Sequence, residues 1–203
     1  MRKRIFVALN LEEGALNAIE QLVAELQPKF TAVAGYDIRF VSRSNWHLTM
    51  SFLGYQEETD APRIIEAMRQ TAAGFGEQEI IFKKLSYGPP GRTPRPPKFS
   101  SRKFGRARMI WLLADIGVSR KLAELKTALE DNLEATGVGF GRETRPFAGH
   151  LTLARMDSVN PRGLPAIERD VNIRSAAGSL DLMESELRRG GAEYTILQKV
   201  PFR

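Results

Sequence analysis

Both histidines of this chain stand in the same short frame, His47-Leu48-Thr49-Met50 and His150-Leu151-Thr152-Leu153. At average residue usage a given His is followed by Leu-Thr about once in a few hundred times, so chance does not account for the pair. The frame also restricts the backbone. On a β-strand, side chains at i and i+2 share a face while i+1 and i+3 take the other. Each copy then presents an imidazole beside a hydroxyl and buries Leu48 and Met50, or Leu151 and Leu153, behind them. Any fold for this chain must supply two half-buried strands, 103 residues apart, whose polar faces can meet.

The surroundings of the two strings repeat in outline. Arg4 to Leu11 predicts a strand, apolar on both faces and therefore central, followed by a helix over Glu12 to Leu26 with Pro28 just past its end. A short strand over Ile38 to Val41 precedes the first string, whose strand ends at Gly54. Further on, Met109 to Ile116 predicts a strand and Ser119 to Thr136 an amphipathic helix, and the second string opens a strand to Met156. Between the two units lie a helix (Pro62 to Ala73) and a strand (Glu79 to Tyr87). After them come at best a short helix (Pro161 to Ile167) and two long strands, Val171 to Leu187 and Ala192 to Val200, joined at Arg189-Gly190-Gly191. The sum is an α+β protein of mostly antiparallel sheet with about four outer helices. It is expected as one bilobal domain, 1–203, whose pseudo-symmetric lobes are built around 4–54 and 109–156 and face a central groove.

Charge is concentrated in one place. Of the 30 basic residues, seven fall between Gly88 and Arg108 with no acidic residue among them. Without them the chain is close to neutral. Five prolines there (Pro89, Pro90, Pro94, Pro96, Pro97) exclude regular secondary structure. Such an 88–108 loop is either a solvated segment or an arm that attracts a polyanion such as a nucleic acid, with Arg92, Arg95, Lys98, Arg102, Lys103 and Arg106 as its candidate contacts. Phe99 and Phe104 among those charges could stack on bases or anchor the loop. The chain has no cysteine, which excludes disulfides and thiolate metal sites. The apolar run after Met1-Arg2-Lys3-Arg4 stops at Asn10, too short for a secretory signal, and no run is long enough for a membrane span. A cytoplasmic protein without membrane contact is expected. Neither a Gly-x-Gly-x-x-Gly string nor a phosphate-binding P-loop occurs.

Two imidazoles that titrate near neutrality can divide acid and base work. Around a phosphodiester, one takes a proton from the attacking water and the other gives one to the departing oxygen, without metal. Thr49 and Thr152 would donate hydrogen bonds to the non-bridging oxygens, where charge accumulates. Other readings fit less well. Two structural histidines would not explain the shared context. A metal needs three or more ligands, and the strings contain no carboxylate. A serine triad has no Gly-x-Ser-x-Gly string. Trp46, beside His47, is a candidate base-stacking contact, the alternative being a core position.

The paired strings resemble the signature of the two-histidine (2H) phosphoesterase superfamily, and their flanks are similar to its RNA 2′,3′-cyclic phosphodiesterases, also called 2′-5′ RNA ligases. The resemblance rests on Arg4 to Leu9, Asn45 to Gly54, Arg145-Pro146-Phe147 with His150 to Arg155, and Glu184 to Leu187 with Gly190 to Tyr194. It implies a bilobal fold with the site between lobes and metal-independent hydrolysis of an RNA 2′,3′-cyclic phosphate end to a 2′-phosphate. No cofactor is implied, and a monomer is expected. By the same carry-over His47 is the proton donor, His150 the proton acceptor, Thr49 and Thr152 hold the phosphate, and Arg155 joins the RNA contacts. Reversal would join RNA ends through a 2′-5′ linkage. A non-catalytic RNA-binding protein, and a sister enzyme acting on another small cyclic phosphate or a 2′-5′ oligonucleotide, are the alternatives. Three departures stand out: Ser51 where a basic residue is frequent, implying a weakened phosphate contact; Gly149 where proline is common, implying a looser strand entry; and a longer 88–108 loop.

Overall fold

The computed structural model describes residues 2–31, 38–88, 107–159, 164–188 and 191–203. Nine strands and three α-helices occur among them: β1 (Arg2–Asn10), α1 (Glu13–Thr31), β2 (Ile38–Phe40), β3 (His47–Glu57), α2 (Ala61–Ala73), β4 (Gln78–Gly88), β5 (Ala107–Ala114), α3 (Ile116–Ala135), β6 (His150–Val159), β7 (Arg169–Ala177), β8 (Ser179–Arg188) and β9 (Gly191–Pro201). The strands form a four-stranded sheet in the order β3-β1-β8-β9 and a five-stranded sheet in the order β2-β6-β5-β4-β7. Every described pairing is antiparallel. The α+β class follows from those adjacent antiparallel pairs. No helix among the described residues is long and apolar enough to cross a membrane.

The apolar faces of both sheets share one core. Ile5, Val7 and Leu9 of β1 and Leu48 and Met50 of β3 meet Leu112 of β5 and Leu151 and Leu153 of β6. Each such side chain contributes about 1.5–3 kcal/mol by leaving water, so the leucines of the two strings anchor the strands that carry the histidines. The other face of β1, with Phe6 and Ala8, meets Met183 in a small second cluster against Tyr194. That accounts for a strand apolar on both sides at the interior of its sheet. The two halves also exchange an element: β2, from the first 54 residues, pairs with β6.

Several boundaries differ from expectation. Helix α1 runs through Pro28 to Thr31. Proline removes one backbone hydrogen bond, but Phe30 one turn beyond Leu26 is buried against the core, its ring 6.1 Å from Phe40, and the Thr31 hydroxyl donates to the Pro28 carbonyl at 3.0 Å. Strand β3 does not stop at Gly54; it passes through that residue at φ 72° and continues to Glu57. Helix α3 begins at Ile116 because Asp115 caps it, accepting from the Gly117 amide at 2.7 Å. Val171 to Leu187 is two strands in two sheets, broken at Gly178. Leu164 to Glu168 is not helical; residues 161–163, the turn residues 189–190, and the loop cations Arg92, Arg95, Lys98, Arg102, Lys103 and Arg106 lie outside the described residues.

Candidate active site

Each histidine opens its strand, His47 opposite Asn10 on β1 and His150 opposite Leu113 on β5. Both strands then carry a bulge at the same place. Val7 pairs with Ser51 and Ala8 with Thr49, so Met50 has no partner on β1. Ile110 pairs with Ala154 and Trp111 with Thr152, so Leu153 has no partner on β5. One extra residue reverses the facing of the residues after it, up to the next irregularity, which on β3 falls at Leu53. Ser51 and Leu53 therefore turn to the core while Phe52 turns outward, and Ala154 and Met156 turn inward while Arg155 turns outward. Plain alternation would have put Arg155 with Leu151 and Leu153. The bulges instead line up His47, Thr49 and Phe52 on one strand, and His150, Thr152 and Arg155 on the other, on the face turned away from the shared core.

The two strands approach closely. A Cβ on Gly149, next to His150, would lie 3.5 Å from Leu48, next to His47. His47 feels the charge of both His150 and Arg155, each of which disfavours its protonation. The structure thus brings His47, Thr49, His150 and Arg155 together, with Thr152 two residues along β6.

The environments of the two rings differ. His47 Nε2 lies 3.1 Å from Thr49 Oγ1, whereas its Nδ1 is buried with no hydrogen-bond partner. Phe6 and Tyr194 pack on this ring at 4.9 and 5.0 Å, Tyr194 edge-on. Burial in that apolar setting pulls the His47 pKa down to about 4, against the partial help of the Asn45 carbonyl. His150 is lowered as well, again by burial, with the Ala148 carbonyl and Glu143 opposing. Its Nδ1 lies 3.0 Å from the Ala148 oxygen and so carries the proton, which leaves Nε2 as the acceptor nitrogen. Its ring lies 4.2 Å from Trp111, at 35°.

Comparison with known proteins points to one family. The family model described as LigT like Phosphoesterase matches residues 11–97. The RNA 2′,3′-cyclic phosphodiesterase of Aeropyrum pernix is 31% identical over 178 residues, covering 83% of this chain and 89% of that protein. The chain is a LigT-like phosphoesterase. The RNA 2′,3′-cyclic phosphodiesterase of Methanothermobacter thermautotrophicus is 27% identical over 98% of both chains. Two solved structures share the phosphoesterase's fold. One, from Thermus thermophilus, has a TM-score of 0.69 at 24% identity, covering 98% of each chain. The other, Escherichia coli LigT complexed with 3′-AMP, has a TM-score of 0.68 at 23% identity, covering 100% of this chain and 99% of that one.

Three expectations about the phosphoesterase's site need correction. Trp46 is 4% exposed and its indole N–H donates to the Val41 carbonyl at 3.0 Å, so it has no face free for a base. Ser51 is not a weakened phosphate contact. The bulge turns it to the core, where its hydroxyl donates to Glu130 at 3.1 Å. Gly149 does not loosen the strand entry. Its amide donates to Ser119 Oγ at 3.3 Å, its carbonyl accepts from Ala114 at 2.8 Å, and a Cβ would come within 3.0 Å of Ala114. Proline would lose the first of those bonds.

Sequence reasoning did not assign Phe6, Trp111, Tyr194 or Phe52 to the phosphoesterase's site. Phe6 was visible as the apolar residue on the second face of β1. The roles of Trp111 and Tyr194 depend on strand pairing, and that of Phe52, 59% exposed, on the bulge.

Proposed function

We propose that this phosphoesterase hydrolyses RNA 2′,3′-cyclic phosphate ends to 2′-phosphates, with His47 as proton donor and His150 as proton acceptor. The observation that carries the reading is the pair of closely set histidines, each with a threonine hydroxyl two residues along, of which His150 alone has its second nitrogen committed to a carbonyl. His150 Nε2 removes a proton from water as the water oxygen bonds to phosphorus. The bond from phosphorus to O3′ breaks, and His47 gives its proton to O3′. Thr49, Thr152 and Arg155 meet the non-bridging oxygens, and Phe52 offers a ring to the terminal base. A 5′-hydroxyl in place of water would yield a 2′-5′ linkage.

With a pKa of about 4, His47 is almost wholly neutral at pH 7 in the free protein. The bound phosphate supplies the correction. Its negative charge offsets Arg155 and favours a proton on His47, so the acid is armed by the substrate. The enzyme is read as a cytoplasmic monomer, and the loop cations as contacts to the RNA.

The test is turnover of a nucleoside 2′,3′-cyclic phosphate in excess chelator, with the product's phosphate position read by phosphorus NMR. A 2′-phosphate is expected, and His47→Ala or His150→Ala should each lose about 10² to 10⁴ in rate. Wild-type rates in either variant would exclude the two-imidazole mechanism. Salt-sensitive RNA binding without turnover would mark a non-catalytic RNA binder, and turnover confined to other cyclic phosphates or 2′-5′ oligonucleotides a sister enzyme.

A further inference from the structure

The chemistry of the site leaves the buried carboxylate of Glu130 unused. Glu130 of α3 is 3% exposed, and Lys126, one turn earlier, is 7% exposed and forms an ion pair with it. A buried pair of this kind is weak evidence for stability, because desolvation offsets much of the attraction. Its other contacts show a different use. Glu130 Oε1 also accepts from Ser51, the residue that the β3 bulge turns inward, four positions after His47. Glu130 Oε2 lies 3.4 Å from Arg142, in the irregular segment that leads into His150. Arg142 is held in turn by Asp131 at 2.7 Å and Glu134 at 3.2 Å on the same helix.

A second tie joins the same two pieces of chain. Gln56, near the end of β3 and buried, donates to the Leu53 carbonyl at 2.6 Å and the Gly139 carbonyl at 2.7 Å. At the far end Leu48 packs against Gly149. The segment that delivers His150 is therefore fastened along the back of the strand that carries His47, at Gln56, at Ser51 through Glu130, and at Leu48. The 138–149 segment has no helix or strand of its own to fix its course.

We propose that Glu130 is a positioning residue that sets the spacing of the two histidines, by holding the bulge of β3 and the segment entering β6 on a single carboxylate. It touches no substrate and acts through Ser51 and Arg142. The effect on rate rests on the hydrolase reading above; the effect on spacing does not. A displacement near 1 Å at reacting groups is worth about a hundredfold in rate, which sets the scale of the expected loss.

The decisive variant is Lys126→Met with Glu130→Met. It removes both buried charges together and leaves apolar side chains of similar length, so that neither charge is stranded. The expected result is a folded protein with a melting temperature within a few degrees of wild type, since the one cost is the Ser51 hydroxyl left without its acceptor, with kcat lower by about 10- to 100-fold and KM for the cyclic phosphate within threefold. The NOE between the Leu48 methyls and the Gly149 α-protons, a spacing readout that needs no activity, should weaken. Lys126→Met with Glu130→Gln, which restores an acceptor for Ser51, should recover most of the rate. A kcat within threefold of wild type and an unchanged NOE in the double methionine variant would overturn the proposal and leave the hydrolase reading intact. Absence of wild-type turnover would overturn the hydrolase reading, and the NOE would then decide the spacing alone. Should the double variant fail to fold, Ser51→Ala and Arg142→Met each cut one tie without stranding a buried charge. Both must then lower kcat at unchanged KM for the proposal to stand.

Discussion

Burial of His47 makes a prediction about stability that needs no substrate. In the unfolded chain this ring takes a proton near pH 6.5; in the folded protein it does so at about 4. Above 6.5 neither state binds the proton, and below 4 both do. Between them only the unfolded chain is protonated, so acidification favours unfolding. The contribution of a neutral His47 is fully present above pH 6.5 and is lost as pH falls through 4. Its size follows from 1.36 kcal/mol for each tenfold change in proton affinity, or about 3 kcal/mol across the window. His47→Gln removes that titration while His150 and the carboxylates remain. Urea unfolding of both proteins at several pH values from 7.5 to 4 isolates the difference. The wild type should lose about 3 kcal/mol more than the variant, and a saturating nucleoside 2′-phosphate should narrow the gap by favouring the proton on His47. Parallel curves without ligand would refute the reasoning, because they would mean that folding does not desolvate the ring.

Other substitutions examine the supports of the site. A methyl group at Gly88 would fall inside the Trp111 indole, so Gly88→Ala should push that ring off His150. About 1–3 kcal/mol of stability and a shift in tryptophan fluorescence should accompany a lower kcat. Gly149→Ala places a Cβ 3.0 Å from Ala114 and should lower the melting temperature together with kcat. Phe52→Ala removes a ring that is 59% exposed, so it should leave the melting temperature nearly unchanged. If the ring stacks on the base, KM should rise about 5- to 150-fold, the equivalent of about 1–3 kcal/mol.

Much of the site was legible because its information is local. The two strings predicted their own strand conformation, the buried leucines and the imidazole-hydroxyl faces, and β1 announced a central position by being apolar on both sides. Some boundaries were also written in the chain and were missed. Asp115 is a helix cap just before Ile116, and the break between β7 and β8 shows as a change of parity, with odd positions through Ala177 facing the core and even ones from Leu180. What was not legible depends on pairing. A bulge is defined by the register of the neighbouring strand, so neither the outward turn of Arg155 and Phe52 nor the inward turn of Ser51 can be read from alternation. The same holds for the aromatic rings on the histidines, since Tyr194 reaches His47 from the last strand of the chain. Trp46 lay next to the chemistry in sequence and behind it in space.

The paired bulges also divide the site into a part that repeats and a part that does not. Up to the threonine, each half presents the same groups. Five residues after each histidine, the reversal of facing opens a position on the same side of the strand as the imidazole, and there the two halves differ. One half fills it with a ring, Phe52, and the other with a cation, Arg155. A duplicated pair of imidazole-hydroxyl faces thereby acquires two positions that can vary separately, by selection or by design, while the histidines and threonines stay as they are.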